Sequence, residues 1–463
     1  MKWKFIETDP ALIERFRQEL KTNEILARVL INRNIDLKTA DTILNRPQNA
    51  LLDPMGIVNM EEGARKIIEH VENEAEIWIF GDYDVDGITS GYIMTDFLRK
   101  TTNNPVYVYY PNRAEEYGLN IDFCKLLKER KETEQIADML VITVDNGTAC
   151  REEIEFLKQN GIDVVVTDHH KPKDQIPRCP VINPHISDDP TYYHLAGCGV
   201  AFKTIQAIQQ MVGMSRDYAE AYLFAVALGT IADVMPMTPE NIAIVKLGLQ
   251  QFKERKCPKG FAMFLDALGE KDVSPESVAW NIAPKLNACG RVGDINTAAS
   301  LFFADDNTPE DEIYAIIETI KEADDRRKEL TKEAMKEAEK MNFEHDEACV
   351  FRLPEYPVGI SGIVANKLAE KYNKPALVMT GKKILSGSAR SPEGLNLQAI
   401  FNKEAVRKNL ASFGGHEQAA GFKVFCDKLD TLKESLNKEI SLYIETCGIE
   451  VAEPEIAIDG IVS

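Results

Sequence analysis

The chain has 463 residues, 44% of them hydrophobic and 28% charged, which is enough for more than one globular domain. No apolar run approaches the roughly 20 residues of a membrane span, and Met1-Lys2-Trp3-Lys4 opens a charged pattern rather than a secretory one, so a cytoplasmic protein with no membrane contact is expected. The net charge of −20 argues against a polyanionic substrate unless a local basic patch binds it, and nine scattered cysteines with no Cys-x-x-Cys pair argue against a disulfide framework or a structural zinc.

Residues 1–45 read as a helical extension. The apolar spacing of Ala11–Phe16 and Ile25–Leu30 is helical, and the segment carries no evident chemistry. An α/β domain is expected over 46–305. A helix over 61–72 precedes four short apolar strands: Ile77–Phe80, Val106–Tyr110, Met139–Val144 and Val164–Thr167. Helical segments lie between them, such as Gly91–Lys100 and Ile121–Arg130. Continuous apolar strands alternating with helices predict a parallel sheet covered on both faces. Cys124, Cys198 and Cys289 lie in apolar or Gly-rich surroundings and read as small buried residues.

Helices are expected over 216–232 and 239–254. Thr308-Pro309-Glu310-Asp311 has the composition of a helix start, with Thr308 as cap, and opens a charged connector helix within 306–342. From 343 to 463 the chain turns Gly- and Ser-rich with short strands such as Ala376–Met379, which predicts a second, smaller α/β domain. Between Met379 and Gln418, six basic side chains face three acidic ones, a modest basic surplus.

The chemistry-bearing residues follow the strands. Gly81-Asp82-Tyr83-Asp84-Val85-Asp86-Gly87 follows the first, Asp145-Asn146-Gly147 the third and Asp168-His169-His170 the fourth; Asp233 stands near the end of a later helix. In an open parallel sheet, functional groups collect beyond the carboxyl ends of the strands. Crowded carboxylates repel unless cations join them. Four or five Asp with one or two His suit two divalent ions, manganese foremost and magnesium as the alternative, which can share a bridging carboxylate and hydroxide. Asp82-x-Asp84-x-Asp86-Gly87 also fits the opening of a calcium loop. That loop needs an acid at its twelfth position, which is Ile93 here, and a helix before it where a strand stands. Asp-Asn-Gly alone is a turn signal, and Asp-His-His alone fits a buried hydrogen-bonded histidine.

Together these motifs resemble the DHH phosphoesterase superfamily, and within it the branch of bacterial single-strand-specific 5′→3′ exonucleases. Leu195–Lys203 and Ala283–Arg291 are similar to segments of that branch, and Ser386–Ser391 and Gly414–Gly421 to the DHH-associated C-terminal domain. The resemblance covers about residues 40–425. It implies a parallel-sheet DHH domain joined by a long helix to a smaller α/β DHH-associated domain, with nucleic acid between them. It implies Asp84 and Asp86 as metal ligands with Asp82 as ligand or support, Asp145 as the bridge, His169 as a ligand, His170 as ligand or phosphate contact, Asp168 as the group orienting His169, and Asp233 as the last ligand. Arg291 would contact the scissile phosphate, and Ser388, Arg390, Gly414, Gly415 and His416 would hold the strand or its 5′ end. Full-length members carry an oligonucleotide-binding barrel with a Pro-Phe-Gly-x-Gly-Asn signature after the second domain; this sequence lacks that signature, and Glu455–Gly460 reads as the start of it.

The expected activity is two-metal hydrolysis of single-stranded DNA in repair and recombination, with single-strand-binding protein or a helicase as candidate partners. A phosphodiesterase for short oligonucleotides or cyclic dinucleotides is the nearest rival and suits the acidic charge better. A pyrophosphatase would need a lysine-rich phosphate cage, and a non-catalytic scaffold would not need the full set of site carboxylates.

Overall fold

The computed structural model describes residues 2–113, 115, 118–172, 175–353, 355–447 and 455–461. It falls into two compact units, Glu7–Lys321 with Asp459–Ser463, and Met1–Ile6 with Glu322–Ile458. Among the described residues no helix is long and apolar enough to cross a membrane.

The chain opens not with a helix but with a strand, β1 (Lys2–Phe5), which pairs in parallel with a segment some 450 residues away. Three short helices follow, α1 (Pro10–Leu20), α2 (Glu24–Asn32) and α3 (Leu37–Asn45). Asp9, Asn23 and Asp36 cap them, each side chain accepting from a backbone N–H of the first turn.

The rest of the first unit is built on a parallel sheet. Helix α4 (Met60–Glu72) leads into β2 (Glu76–Phe80), α5 (Val85–Thr101), β3 (Val106–Tyr109), α6 (Ile121–Thr133), β4 (Met139–Val144), α7 (Arg151–Gln159), β5 (Asp163–Thr167) and the two-residue β6 (Val181–Ile182). The strand order is β3-β2-β4-β5-β6, all parallel. All six residues of β4 are buried, which is why the strand reads as unbroken apolar sequence. Phe80 lies beside Thr143 and Val144 beside Thr167, so the three strands that precede the acidic motifs end at one level.

Helix α5 begins six residues earlier than its apolar pattern suggests. The Asp84 carboxylate accepts from Gly87 N at 3.1 Å and caps the helix, so Asp86 stands in its first turn.

Helices cover the remainder: α8 (Gly197–Met211), α9 (Asp217–Glu220), α10 (Leu223–Ala232), α11 (Pro239–Lys253), α12 (Lys259–Ala267), α13 (Ala283–Val292) and α14 (Ile295–Phe303). The stretch expected as one helix over 216–232 is two, broken at Ala221 and Tyr222. Cys124, Cys198 and Cys289 are buried and form no disulfide.

Helix α15 (Glu310–Ala338) starts after Pro309, and the Thr308 hydroxyl pairs with Asp305. The boundary between the two units falls inside this helix, after Lys321.

The second unit carries β7 (Cys349–Arg352), α16 (Ser361–Tyr372), β8 (Ala376–Gly381), β9 (Ile384–Arg390), β10 (Leu410–Gly415), β11 (Ala419–Phe425), α17 (Leu429–Cys447) and β12 (Glu455–Ile458). Its five-stranded sheet has the order β10-β11-β9-β8-β7; only β7 and β8 are parallel. Leu432, Leu436 and Ile440 of α17, four residues apart on one face, pack into its core with Leu385, Ala389 and Phe422. β12 is the partner of β1.

One buried ion pair ties three parts of the first unit. Lys203 of α8 is fully buried, and its Nζ lies 2.5 Å from Glu240 of α11. The same ammonium donates to Leu52 O at 2.6 Å, while Glu240 accepts from Leu52 N at 2.8 Å. Removing one partner leaves an uncompensated charge in the core. Lys203→Met is therefore expected to destabilise the protein by about 3–5 kcal/mol in urea unfolding, and Lys203→Met with Glu240→Gln to recover most of that. A loss below about 1 kcal/mol for the single variant would show that the pair does not hold the helices.

Candidate metal centre

Each site carboxylate owes its position to a backbone feature just past a strand. Asp145 follows β4 with φ of 61°, a left-handed conformation that Asp tolerates better than most residues. Asn146 beside it donates to Val144 O at 2.9 Å and Phe80 O at 3.3 Å, locking the ends of β4 and β2 together. Gly147 has φ of 111°, and a Cβ there would lie 2.3 Å from Thr143 Oγ1. The Asp-Asn-Gly turn thus aims a carboxylate into the space beyond the sheet.

Asp86 is held from a different element. Its Oδ2 accepts from Gly197 N at 2.7 Å and its Oδ1 from Cys198 N at 3.0 Å, both at the N-terminus of α8, where the helix dipole favours an anion. Asp82 accepts from the N–H of Tyr83. Asn287 of α13 accepts from Val85 N at 3.0 Å and fixes the start of α5. Asp233 is the C-terminal cap of α10.

These side chains converge. Asp82, Asp84 and Asp145 form one group whose carboxylate oxygens lie within 4.8 Å of one another. Asp86, His169 and Asp233 form a second, and Asp145, His169 and His170 a third that overlaps both. His169 Nε2 is 3.1 Å from Asp145 Oδ1 and 3.8 Å from both Asp86 Oδ2 and Asp233 Oδ2. Asp145 Oδ1 is buried and accepts no hydrogen bond. Asp145, whose buried Oδ1 accepts no hydrogen bond, belongs to two ligand groups, which fits a shared divalent cation, and the donor set of oxygens with imidazole fits manganese or magnesium.

The electrostatics follow from this crowding. Burial, then the Asp84 charge, pushes Asp82 up to about 7. Burial, then Asp86 and Asp84, pushes Asp233 up to about 8 and holds Asp145 well above the usual carboxylate range. Burial, then His170, keeps His169 below the ordinary histidine value, which leaves a neutral imidazole of the kind that ligates metal. Burial also opposes the His170 cation, but the Asp168 carboxylate overrides it and lifts His170 to about 9.

One expected role is corrected. Asp168 Oδ1 accepts from His170 Nδ1 at 2.8 Å and from the backbone N–H of His169 and His170, and Oδ2 accepts from Thr148 N at 3.0 Å. The ring that Asp168 orients is His170, not His169, because the turn after β5 folds the second histidine back over the carboxylate. Asn183 completes this layer by donating to Thr148 Oγ1 and His170 O, both at 2.8 Å. Asn146, Thr148 and Asn183 were not among the residues singled out from sequence. Asn287 lay unremarked in the Ala283–Arg291 motif, and only its place beside a helix start reveals its task.

Arg291 stands in the last turn of α13. That helix packs closely on the Asp82–Asp84 turn, since a Cβ on Gly290 would lie 2.3 Å from Tyr83 O. The five residues expected to hold substrate belong to the second unit, where the sheet brings them to one corner. Gly414 pairs with Gly421, which pairs with Ser388; Ala419 pairs with Arg390; His416 N donates to Ala419 O at 2.7 Å. Gly415 has φ of 146°, and a Cβ on it would lie 2.3 Å from Ala419 O. Ser361 donates to Ser388 Oγ at 3.2 Å, and a Cβ on Gly362 would sit 3.2 Å from Arg390 Nη2, so the N-terminus of α16 closes the corner.

Comparison with known proteins agrees with this geometry. Residues 76–230 match the DHH family, N-terminal domain, and residues 345–442 the DHHA1 domain. The chain is 32% identical over 448 residues to the single-stranded-DNA-specific exonuclease RecJ of Bacillus subtilis, covering 95% of this chain and 55% of that protein. The solved structure of RecJ in complex with Mn2+ from Thermus thermophilus is 25% identical, with a TM-score of 0.83 over 99% of this chain and 64% of that chain. A structure of exonuclease RecJ bound to manganese is 28% identical, with a TM-score of 0.72 over 84% of this chain and 96% of that one. The chain thus spans little more than half the length of the Bacillus protein.

Two outcomes test the centre. Asp82, Asp145 and Asp233 bind protons more tightly folded than unfolded, so their contribution to stability is full below the ordinary Asp value of 3.8 and is lost as pH rises, through about 7 for Asp82 and about 8 for Asp233. His169 runs the other way below 6.5, one group against three. The metal-free protein should therefore melt at a higher temperature at pH 5 than at pH 8, and saturating manganese should erase or reverse that order; equal melting temperatures without metal would count against the crowding. Second, a Cβ at Gly197 would lie 2.5 Å from Asp145 Oδ1. Gly197→Ala should keep its circular dichroism yet lose at least about tenfold in manganese affinity by calorimetry; unchanged affinity would remove Asp145 from the metal site.

Proposed function

With a DHH-family N-terminal domain and a DHHA1 domain both present in this chain, we propose that it is a metal-dependent hydrolase that removes nucleotides from single-stranded DNA in the 5′→3′ direction. The observation that carries the reading is Asp145, whose buried Oδ1 has no hydrogen-bond donor and which belongs to two groups of side chains able to hold a metal ion. Asp82, Asp84 and Asp145 would hold one cation, and Asp86, His169, Asp233 and Asp145 the other. Bound manganese or magnesium would supply Lewis acidity toward a phosphoryl oxygen and a water of lowered pKa.

The chain's own groups do the rest. The α8 amides hold Asp86 in place, and the Asp168 carboxylate keeps His170 cationic, so its Nε2–H can donate to a phosphate oxygen. Arg291, beside the Asp82–Asp84 turn, offers a planar fork to the scissile phosphate. In the second unit, Ser388, Arg390 and the Gly414–His416 turn would hold the strand at its 5′ end, with N–H groups of a Gly-rich backbone open to phosphate. The proposal extends to repair and recombination in the cytoplasm, where single-strand-binding protein or a helicase would present the strand. The net charge of −20 favours a second reading, a phosphodiesterase for very short oligonucleotides.

Digestion with manganese of unprotected, 3′-protected and 5′-protected single strands, with a dinucleotide in parallel, separates these readings. Loss of the first two with the 5′-protected strand spared is expected. Asp145→Ala should lower the rate by at least about a hundredfold, since a ligand matters more than the groups behind it. Cleavage of the dinucleotide alone would establish the second reading. No cleavage by a protein that takes up manganese would reject both.

A further inference from the structure

The protein is strongly acidic, yet one surface is not. A groove of about 760 Å³ runs between α15 and α16 in the second unit, lined by six basic and two acidic side chains. Three of the cations are already neutralised: Arg327 and Lys328 each lie 2.7 Å from the buried Asp324, and Lys371 lies 2.7 Å from Glu339. The other three, Lys332, Lys336 and Lys367, are exposed and have no ion pair among the described residues.

Their spacing is ordered. Lys328, Lys332 and Lys336 recur every four residues along one face of α15, about 6 Å per step, and Lys367 and Lys371 repeat that step on α16 across the groove. Like charges four residues apart weaken a helix, and Lys332 and Lys336 have no ion pair among the described residues to offset that repulsion. The floor between them holds Met335 and Ile363, apolar surface suited to sugar and base faces.

The groove and the substrate corner share the first turn of α16. Ile363 follows Gly362, the residue whose missing Cβ makes room for Arg390 Nη2 and Ser388 Oγ. We propose that the α15–α16 groove is a second binding track for the phosphodiester backbone of single-stranded nucleic acid, gripping nucleotides away from the bond that is cut. The inference rests on the substrate class proposed above. The α16 turn shared with the Ser388–Arg390 corner, together with the unpaired lysines, favours nucleic acid over an acidic peptide as the occupant.

The test compares the wild-type full chain with K332E/K336E/K367E, and with the milder K332Q/K336Q/K367Q should the first melt early. Binding of a labelled long oligodeoxythymidine to metal-free protein is followed by anisotropy across a salt series, with polyglutamate as a competitor. Cleavage of a trinucleotide, too short to span corner and groove, is assayed separately with manganese. Each phosphate contact on a single strand contributes about 0.7 to the slope of log affinity against log salt, so the three substitutions should lower that slope by about 2. Affinity should fall at least about tenfold, with trinucleotide cleavage unchanged. An unchanged slope, no binding by the wild type, or competition by polyglutamate stronger than by DNA would overturn the proposal. Failure of the wild type to cleave anything while still binding the long strand would sink the catalytic reading alone, because the slope still decides the groove.

Discussion

The repulsion among desolvated aspartates is the constraint around which the first unit is organised. Asp82, Asp84, Asp86, Asp145 and Asp233 gather near the ends of three strands; Asp82, Asp86 and Asp145 are buried, Asp84 is half-buried and Asp233 lies at the exposed rim. A fold gains nothing in stability from such an assembly; burial and mutual charge both disfavour it. The sheet imposes the crowding because β2, β4 and β5 end at one level, and the chain spends a left-handed Asp145 and a strained glycine turn to complete it. Buried like charges gathered at one place, at a cost to stability, mark a candidate for function.

Around this centre the polar backbone is arranged so that each carboxylate is fixed by a donor that does not compete for its free oxygens. Asp86 uses two amides of α8, Asp84 caps α5, and Asp168 is saturated by four donors. Asp145 Oδ1 is the exception, left bare. The division separates groups that orient from groups that ligate. It also gives the two histidines opposite characters: His169 neutral among carboxylates, His170 cationic against Asp168. Two adjacent residues of one kind thus acquire different chemistry from their surroundings alone.

The parallel sheet and the acids behind it were legible because both are local. Apolar runs such as Met139–Val144 announce buried strands, and the first polar residues after them must lie at the carboxyl edge. What escaped the sequence depends on distance or on small angles. Which histidine of Asp168-His169-His170 folds back on its aspartate is set by a turn, not by residue order. Asn183 has no motif around it; its role exists only once β6 lies beside β5. The early start of α5 was hidden because Asp84-Val85-Asp86-Gly87 has the composition of a loop, and a side-chain cap overrules composition. The lysine rows of α15 and α16 each read as an ordinary solvated face until the two helices are placed side by side.

The pairing of β1 with β12 carries a consequence for how the protein is made. Lys2–Phe5 is made some 450 residues before its partner Glu455–Ile458. Until that partner is made, β1 has an unsatisfied hydrogen-bonding edge, with Trp3 and Phe5 still half or more exposed even in the finished fold. A nascent chain in this condition is open to pairing with a neighbour on the same messenger. Lys4 in the strand opposes such pairing by charge, as edge lysines do elsewhere.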